Sequence, residues 1–236
     1  MERIYLSYVL DTDTPTYGNR NRFERIRKSS IERGDAANDT TISTTVHVGT
    51  HVDMPLHFYE NGQSIEDFDA DFWFFAKDEI LFVEPDIEKC GLVIGDALIS
   101  ELEKSKSILG IDSDDIRLIV AKTGDCHIRG SVRFWEKNHG FHPDLAGYMR
   151  EHFPNISIFG FDSISVSSFG ERMLGREAHR SFLDPDDPIL LLEDMDLRMI
   201  DGETVLDEVA ISPMRIAGCD GLPCTVVASR GKDGGV

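Results

Sequence analysis

Eight short apolar runs punctuate the 236-residue chain: RIYLSYVL, TISTTVHV, DEILFVEP, IRLIVAKTG, NISIFGFDSISV, PILLLEDM, ETVLDEVAI and PCTVVASR. Each is short for a helix and bounded by Gly, Pro or Asp, which commits the chain to a succession of strands. Two stretches differ. IGDALISELEKSKS and PDLAGYMREHF carry apolar residues at helical spacing, and Pro143 stands early in the second, where its missing N–H is harmless. Strands in this number beside two or three helices predict a mixed α/β class. A hydrophobic content of 41% supplies one buried core, and no repeat or low-complexity linker divides the chain, so residues 1–236 are expected to form a single β-rich domain.

Charge narrows the partners. With 43 acidic against 24 basic residues, a formal net charge of −19 argues against any general affinity for nucleic acid or anionic membrane surfaces. The N-terminal residues lack the pattern of a signal peptide, and no apolar run approaches membrane-spanning length, so a soluble cytoplasmic protein is expected. Cys90, Cys126, Cys219 and Cys224 lack the spacing of a structural zinc site and are read as reduced thiols. The charged stretch NRFERIRKSSIERGDAAND, residues 21–39, is read as a solvated loop or short helix. No glycine-rich phosphate loop and no G-x-S-x-G elbow is present, which disfavours nucleotide binding and serine hydrolase chemistry.

The densest chemistry lies in HVGTHVDMPLHF, residues 47–58. Val46, Val48, Thr50 and Val52 alternate with His47, Gly49, His51 and Asp53, the period-2 signature of a strand with one polar face. A straight strand would hold His47 and His51 about 13 Å apart, whereas two imidazole nitrogens on one metal lie within roughly 4 Å. A helix would join them, but Val, Gly, Thr and Val followed by Pro55 are poor helical residues. The expectation is a strand bent at Gly49, with Pro55 fixing a turn that aims His57 back to the same place. A lone strand histidine is usually an ordinary hydrogen-bonded residue. Three of them with a carboxylate on one face would repel and desolvate one another without a cation, so the cluster predicts a metal site.

The string H-x-G-T-H-x-D-x-P-x-H, unbroken from His47 to His57, resembles the signature of the metal-dependent cyclase-like hydrolases that include bacterial kynurenine formamidase and isatin hydrolase. Weaker stations follow in the family's order: PTYGN at 15–19, KTG at 122–124, GFDSIS at 160–165, EAHRSFL at 177–183, LLLEDMDL at 190–197 and GCDGLPC at 218–224. The resemblance implies a small barrel-like mixed sheet flanked by helices, usually in a homodimer. It implies two divalent ions per subunit, zinc or manganese. His47 and His51 would bind one, Asp53 would bridge both, His179 would complete the second site and Glu193 would be the other bridging carboxylate. His57 would transfer protons, and Tyr17 would lie against an aromatic substrate where the best-known relatives have tryptophan. Read from their own neighbourhoods, Glu193 is a solvated strand-end acid and His179 an exposed loop residue; the resemblance reverses both readings.

The activity so implied is hydrolysis of an amide-type C–N bond by metal-activated water, with an aryl formamide as substrate, as in the kynurenine formamidases of tryptophan catabolism. Two alternatives stand beside it: opening of a cyclic amide, as isatin hydrolase does, and metal binding without turnover, which the presence of His57 disfavours. The expected partner is a small aromatic amide. Among the remaining residues, Phe72, Trp73, Phe74 and Phe75 are assigned to core packing, and His127, His139, His142 and His152 to loop and helix-end roles. Asp162 and Asp220 match family stations near the pocket but have the ordinary role of turn acids.

Overall fold

Runs that are apolar at nearly every position need cover on both faces, and four of them lie side by side in one sheet. A computed structural model describes residues 2–88, 90–109 and 112–231; residue 1 and residues 232–236 of the expected unit lie outside the described residues. In chain order the strands are β1 (Glu2–Tyr5), β2 (Glu24–Ser29), β3 (Asp39–Ser43), β4 (His51–Asp53), β5 (Phe74–Ala76), β6 (Ile80–Val83), β7 (Val93–Ile94), β8 (Leu118–Ala121), β9 (Gly140–Phe141), β10 (Ile158–Phe161), β11 (Leu190–Glu193), β12 (Leu206–Pro213) and β13 (Gly221–Arg230). The α-helices are α1 (Asp96–Leu109), α2 (Arg133–Glu136), α3 (Asp144–His152) and α4 (Arg172–Phe182).

Nine strands form a mixed, barrel-like sheet in the order β5-β12-β13-β4-β11-β10-β8-β6, with β1 added to β13. β6, β8, β10 and β11 run parallel. Parallel neighbours need a crossover, and α1, α3 and α4 lie between the successive pairs. From β11 onward the neighbours are antiparallel: β4 on β11, β13 on β4, β12 on β13 and β5 on β12. Leu190, Leu191 and Leu192 are each 0% exposed; truncating one to Ala would cost about 2–5 kcal/mol. The sheet therefore changes from parallel to antiparallel at the β11–β4 boundary, next to the carboxyl ends of the parallel strands, where open α/β sheets commonly bind ligands.

Each of the eight apolar runs contains a strand, and the two helical stretches are α1 and α3. Three details differ from the sequence reading. The motif strand is confined to His51–Asp53, because Gly49 (φ +58) turns the chain before it; a Cβ there would also lie 2.3 Å from Leu10 Cδ2. Residues 21–39 are not a loop or short helix: they hold β2 and much of the return to β3, an antiparallel hairpin with a one-turn 3-10 helix at Ile31–Arg33. Residues 172–182 form the helix α4, where the local reading of His179 gave an exposed loop. The aromatic run behaves as core, with Trp73 and Phe75 buried and Phe74 open on an edge strand. No helix among the described residues is long and apolar enough to cross a membrane.

Candidate metal centre

Sheet register brings the first side chains together. Glu193 ends β11 directly opposite His51 on β4, and Asp53 lies two residues further along the same face of β4. On the other side of β4, Asp53 is paired with Gly221 of β13. His47 precedes the bend at Gly49 and folds over this surface. Its imidazole occupies the space a side chain at position 221 would need, since a Cβ there would lie 2.4 Å from His47 Cε1. Pro55 opens a 3-10 turn, Pro55–His57, that returns His57 to within 4.1 Å of His47, ring centre to ring centre. His179 comes from the buried face of α4 and stacks on Phe58, with ring centres 4.6 Å apart.

The imidazoles divide into two kinds. His51 Nδ1 donates to the Gly49 carbonyl at 2.8 Å, and His179 Nδ1 donates to the Gly175 carbonyl at 2.9 Å with Ser167 Oγ at 3.2 Å. A carbonyl only accepts, so in each neutral ring Nε2 carries a lone pair. Both lone pairs point at carboxylates: His51 Nε2 lies 3.3 Å from Asp53 Oδ1 and 3.5 Å from Glu193 Oε2, and His179 Nε2 lies 3.5 Å from Asp53 Oδ2 and 3.8 Å from Glu193 Oε1. Acceptors facing acceptors in a buried place require a proton or a cation between them. These separations exceed an N–H···O hydrogen bond. They match the roughly 3.4 Å expected between two donors each about 2.1 Å from one tetrahedral ion. The residues present therefore fit a divalent ion, with the outer nitrogens fixed by backbone carbonyls as metal-binding histidines require.

His47 and His57 are held differently. His47 spans two carboxylates, Nδ1 to Asp53 Oδ1 at 2.8 Å and Nε2 to Asp220 Oδ2 at 2.9 Å, and His57 Nδ1 meets the same Asp220 oxygen at 3.0 Å. These are hydrogen bonds. Among the described residues two groups of three offer ligand atoms within 4.8 Å of one another, His51–Asp53–Glu193 and His47–Asp53–His57, and Asp53 belongs to both.

The surroundings set the charges. Burial alone would raise Asp53, whose side chain is 1% exposed, but the imidazoles of His47, His179 and His51 overrule it and hold the carboxyl well below the usual range. Burial and the neighbouring Asp53 charge push Glu193 well above its ordinary value, against the Val166 N–H that donates to Oε1 at 2.7 Å. For His47, burial is overcome by Asp53 and Asp220, which raise it to about 10. His57 is lowered, chiefly by burial, with the pull of Asp53 opposed by His47 and His179. Such opposed shifts in adjacent groups are common where proton or metal chemistry is done.

The site is braced from behind. Asp194, in the left-handed region at φ 52, turns the chain immediately after Glu193 and is gripped by Arg129 through two bonds of 2.8 and 2.7 Å. Fully buried Asn138 ties down the 163–169 loop, which supplies Ser165, Val166 and Ser167 to the site; its Nδ2 donates to Ser167 O at 2.8 Å, and its Oδ1 accepts from Phe169 N–H at 2.9 Å.

A cleft of about 400 Å³ opens over these groups, and Tyr17, Phe58, Ile164 and three arginines line it. All six residues singled out as metal ligands or proton carrier reach this cleft, as does Tyr17. Asp220, read from sequence as a turn acid, instead joins His47 to His57. Asp162 stays structural, accepting from Thr123, Gly124 and Cys126 N–H groups, and His139 pairs with Asp125 at 2.8 Å away from the cleft. Half-buried His142 lies outside it too, and the four cysteines are free thiols.

The chain is similar to several known proteins. Cyclase-like protein 1 of Arabidopsis thaliana is 26% identical over 83% of this chain and 71% of its own length. Other plant cyclase-like proteins are matched over 66% of their length, so the chain spans about two-thirds of these relatives. The kynurenine formamidase of Bacillus cereus is 24% identical over 96% of both chains. Among solved structures, isatin hydrolase A from Labrenzia aggregata, bound to benzyl benzoate, superposes with a TM-score of 0.77 at 20% identity, covering 96% of this chain and 93% of that one. The Cyclase family model, described as "Putative cyclase", matches residues 4–168, which include the whole of the His47–His57 motif. With more than half of its length matched, the chain belongs to the Cyclase family.

Proposed function

We propose that the protein is a metal-dependent hydrolase of an amide-type C–N bond, with an aryl formamide as substrate. One observation carries the reading: the lone-pair nitrogens of His51 and His179 face the buried carboxylates of Asp53 and Glu193 at co-ligand rather than hydrogen-bond separations. His51, Asp53, His179 and Glu193 would hold two divalent ions, zinc or manganese, with Asp53 shared, and His47 would join them as a ligand on giving up the proton that ties it to Asp53 and Asp220. When bound, such ions lower the pKa of a water and polarise a carbonyl.

The chain's own groups do the rest. His57 stands at the cleft with its side chain 27% exposed and its Nδ1 tied to Asp220. It accepts the proton that water loses on attack and returns it to the departing nitrogen, a role suited to an imidazole that burial biases toward its neutral, proton-accepting form. In the overall step an O–C bond forms at the formyl carbon and the C–N bond breaks. The amine leaves with one water proton, and formate leaves after giving its own to solvent. Tyr17 and Phe58 supply aromatic walls for the ring. The bacterial relatives support the reading, and the formamidase name is theirs. We also read the 1–236 unit as one half of a homodimer, for which the hairpin β2–β3 offers exposed Ile26 and Ile42.

The test is elemental analysis of the purified protein beside turnover of N-formylkynurenine, formanilide and isatin, with and without chelator. Two ions per chain and chelator-sensitive formamide hydrolysis are expected. Formamide turnover untouched by metal removal, or none in metal-loaded protein, would overturn the reading.

A further inference from the structure

The cleft is rimmed by Arg20, Arg172 and Arg176, in a chain with 43 acidic against 24 basic residues. Among the described residues none of the three is ion-paired, whereas five other arginines have carboxylate partners. Arg172 and Arg176 stand one turn apart on α4, and His179 follows on the same face. One helix thus delivers an imidazole to the floor and two guanidiniums to the rim. At the α-helical rise, Arg172 lies about 10 Å and Arg176 about 5 Å along the axis from His179.

Arg172 is preorganised. Its guanidinium carbon sits 3.8 Å from the centre of the Phe169 ring, and its Nε donates to the Phe169 carbonyl at 3.3 Å. Phe169 is braced in turn by the edge of Tyr17, with ring centres 5.5 Å apart. The stack and the Nε bond fix the plane of the fork while its two terminal nitrogens make no hydrogen bond among the described residues, the arrangement that grips a carboxylate in bidentate fashion. A rim of this sign also answers an electrostatic need: the −19 charge of the chain repels anions at long range, and only a local cluster of cations reverses that at the mouth of the cleft. Between rim and floor the walls are Tyr17, Phe58 and Ile164, suited to an apolar spacer.

We propose that Arg172 and Arg176, assisted by Arg20, bind an anionic group of the substrate, so that the site acts on amides carrying a carboxylate about one aromatic ring away from the scissile bond. The proposal rests on the amide-hydrolase reading and adds the class of substrate to it.

The experiment compares neutral formanilide with 2-, 3- and 4-formamidobenzoate on metal-loaded protein. The proteins are wild type, the double variant Arg172→Gln/Arg176→Gln and the double variant Arg172→Lys/Arg176→Lys. The best charged isomer should exceed formanilide in kcat/KM by about tenfold or more, mainly through KM, as expected for one charge-assisted contact. That ratio should fall to about one in the Gln variant and partly return in the Lys variant. Equal kcat/KM for charged and neutral substrates in wild type, or an advantage that survives in the Gln variant, would overturn the rim and leave the hydrolase reading standing. If no formamide is turned over, that reading fails and calorimetric titration decides the rim, with chelator present so that no metal can take the carboxylate. Binding of 4-acetamidobenzoate but not acetanilide, lost in the Gln variant, supports the rim. Equal binding of the two, or none, overturns it.

Discussion

The two halves of the site are built from the same residue types and spaced for different tasks. In the buried half, His51 and His179 each spend one ring nitrogen on a backbone carbonyl and turn the other toward Asp53 and Glu193 at 3.3–3.8 Å. In the outer half, His47 and His57 share Asp220 and Asp53 through contacts of 2.8–3.0 Å. Imidazole and carboxylate at 2.8 Å are joined by a proton; at about 3.4 Å, with the lone pair inward, they leave room for an ion. The difference teaches that a histidine–carboxylate cluster has to be judged by what each second nitrogen does, because composition alone does not separate the two uses.

Asp53 is the only group common to both halves, so its replacement should break the comparison altogether. Asp53→Asn is expected to lose metal by elemental analysis and to reduce kcat/KM by more than the roughly 100-fold that loss of a supporting hydrogen bond costs. Substitution in the outer half should be cleaner. His57→Gln is expected to keep its metal content while kcat falls by about 10²- to 10⁴-fold, the range of general acid–base catalysis. A His57→Gln protein with full turnover would remove the residue from proton transfer. Asp220→Asn should be milder, with metal retained and a loss of about 10- to 100-fold, because it orients two imidazoles without reaching the floor.

The smallest effect is a control. His139 and Asp125 meet at 2.8 Å, as His47 and Asp53 do, but among the described residues no second carboxylate is paired with the ring. The hydrogen bond that His139 donates to Asp125, against the opposing effect of burial, raises His139 above its ordinary value. A raised folded-state pKa adds stability that is fully present below the unfolded value near 6.5 and is lost as pH rises through the folded one. His139→Gln should therefore lower stability by about 1 kcal/mol at pH 6, by a shrinking amount at alkaline pH, and leave metal content and turnover alone. Denaturant melts at several pH values read this directly.

What the sequence made legible follows the range over which each signal acts. The His47–His57 cluster and its bend were readable because eleven consecutive residues hold both the alternation and the glycine that interrupts it. The parallel strands were readable because continuous apolar runs have few other fates. α4 was not: Leu174, Ala178 and Phe182 do recur at helical spacing, but Gly175 and the polar neighbours of His179 made the segment read as a loop. Strand β2, and with it the hairpin to β3, was lost for a related reason: nearly every residue of β2 is exposed, so no face is apolar. Asp220 meets His47 across 173 residues and His57 across 163, and nothing next to it separates a site acid from a turn acid.

The most direct test is anomalous diffraction from crystals of the protein grown with manganese or zinc. The account predicts peaks bonded to His51 Nε2 and to His179 Nε2 at about 2.0–2.2 Å, with Asp53 and Glu193 oxygens completing the coordination. Crystals that show no peak there, with the same nitrogens closed onto the carboxylates at hydrogen-bond distance, would contradict it.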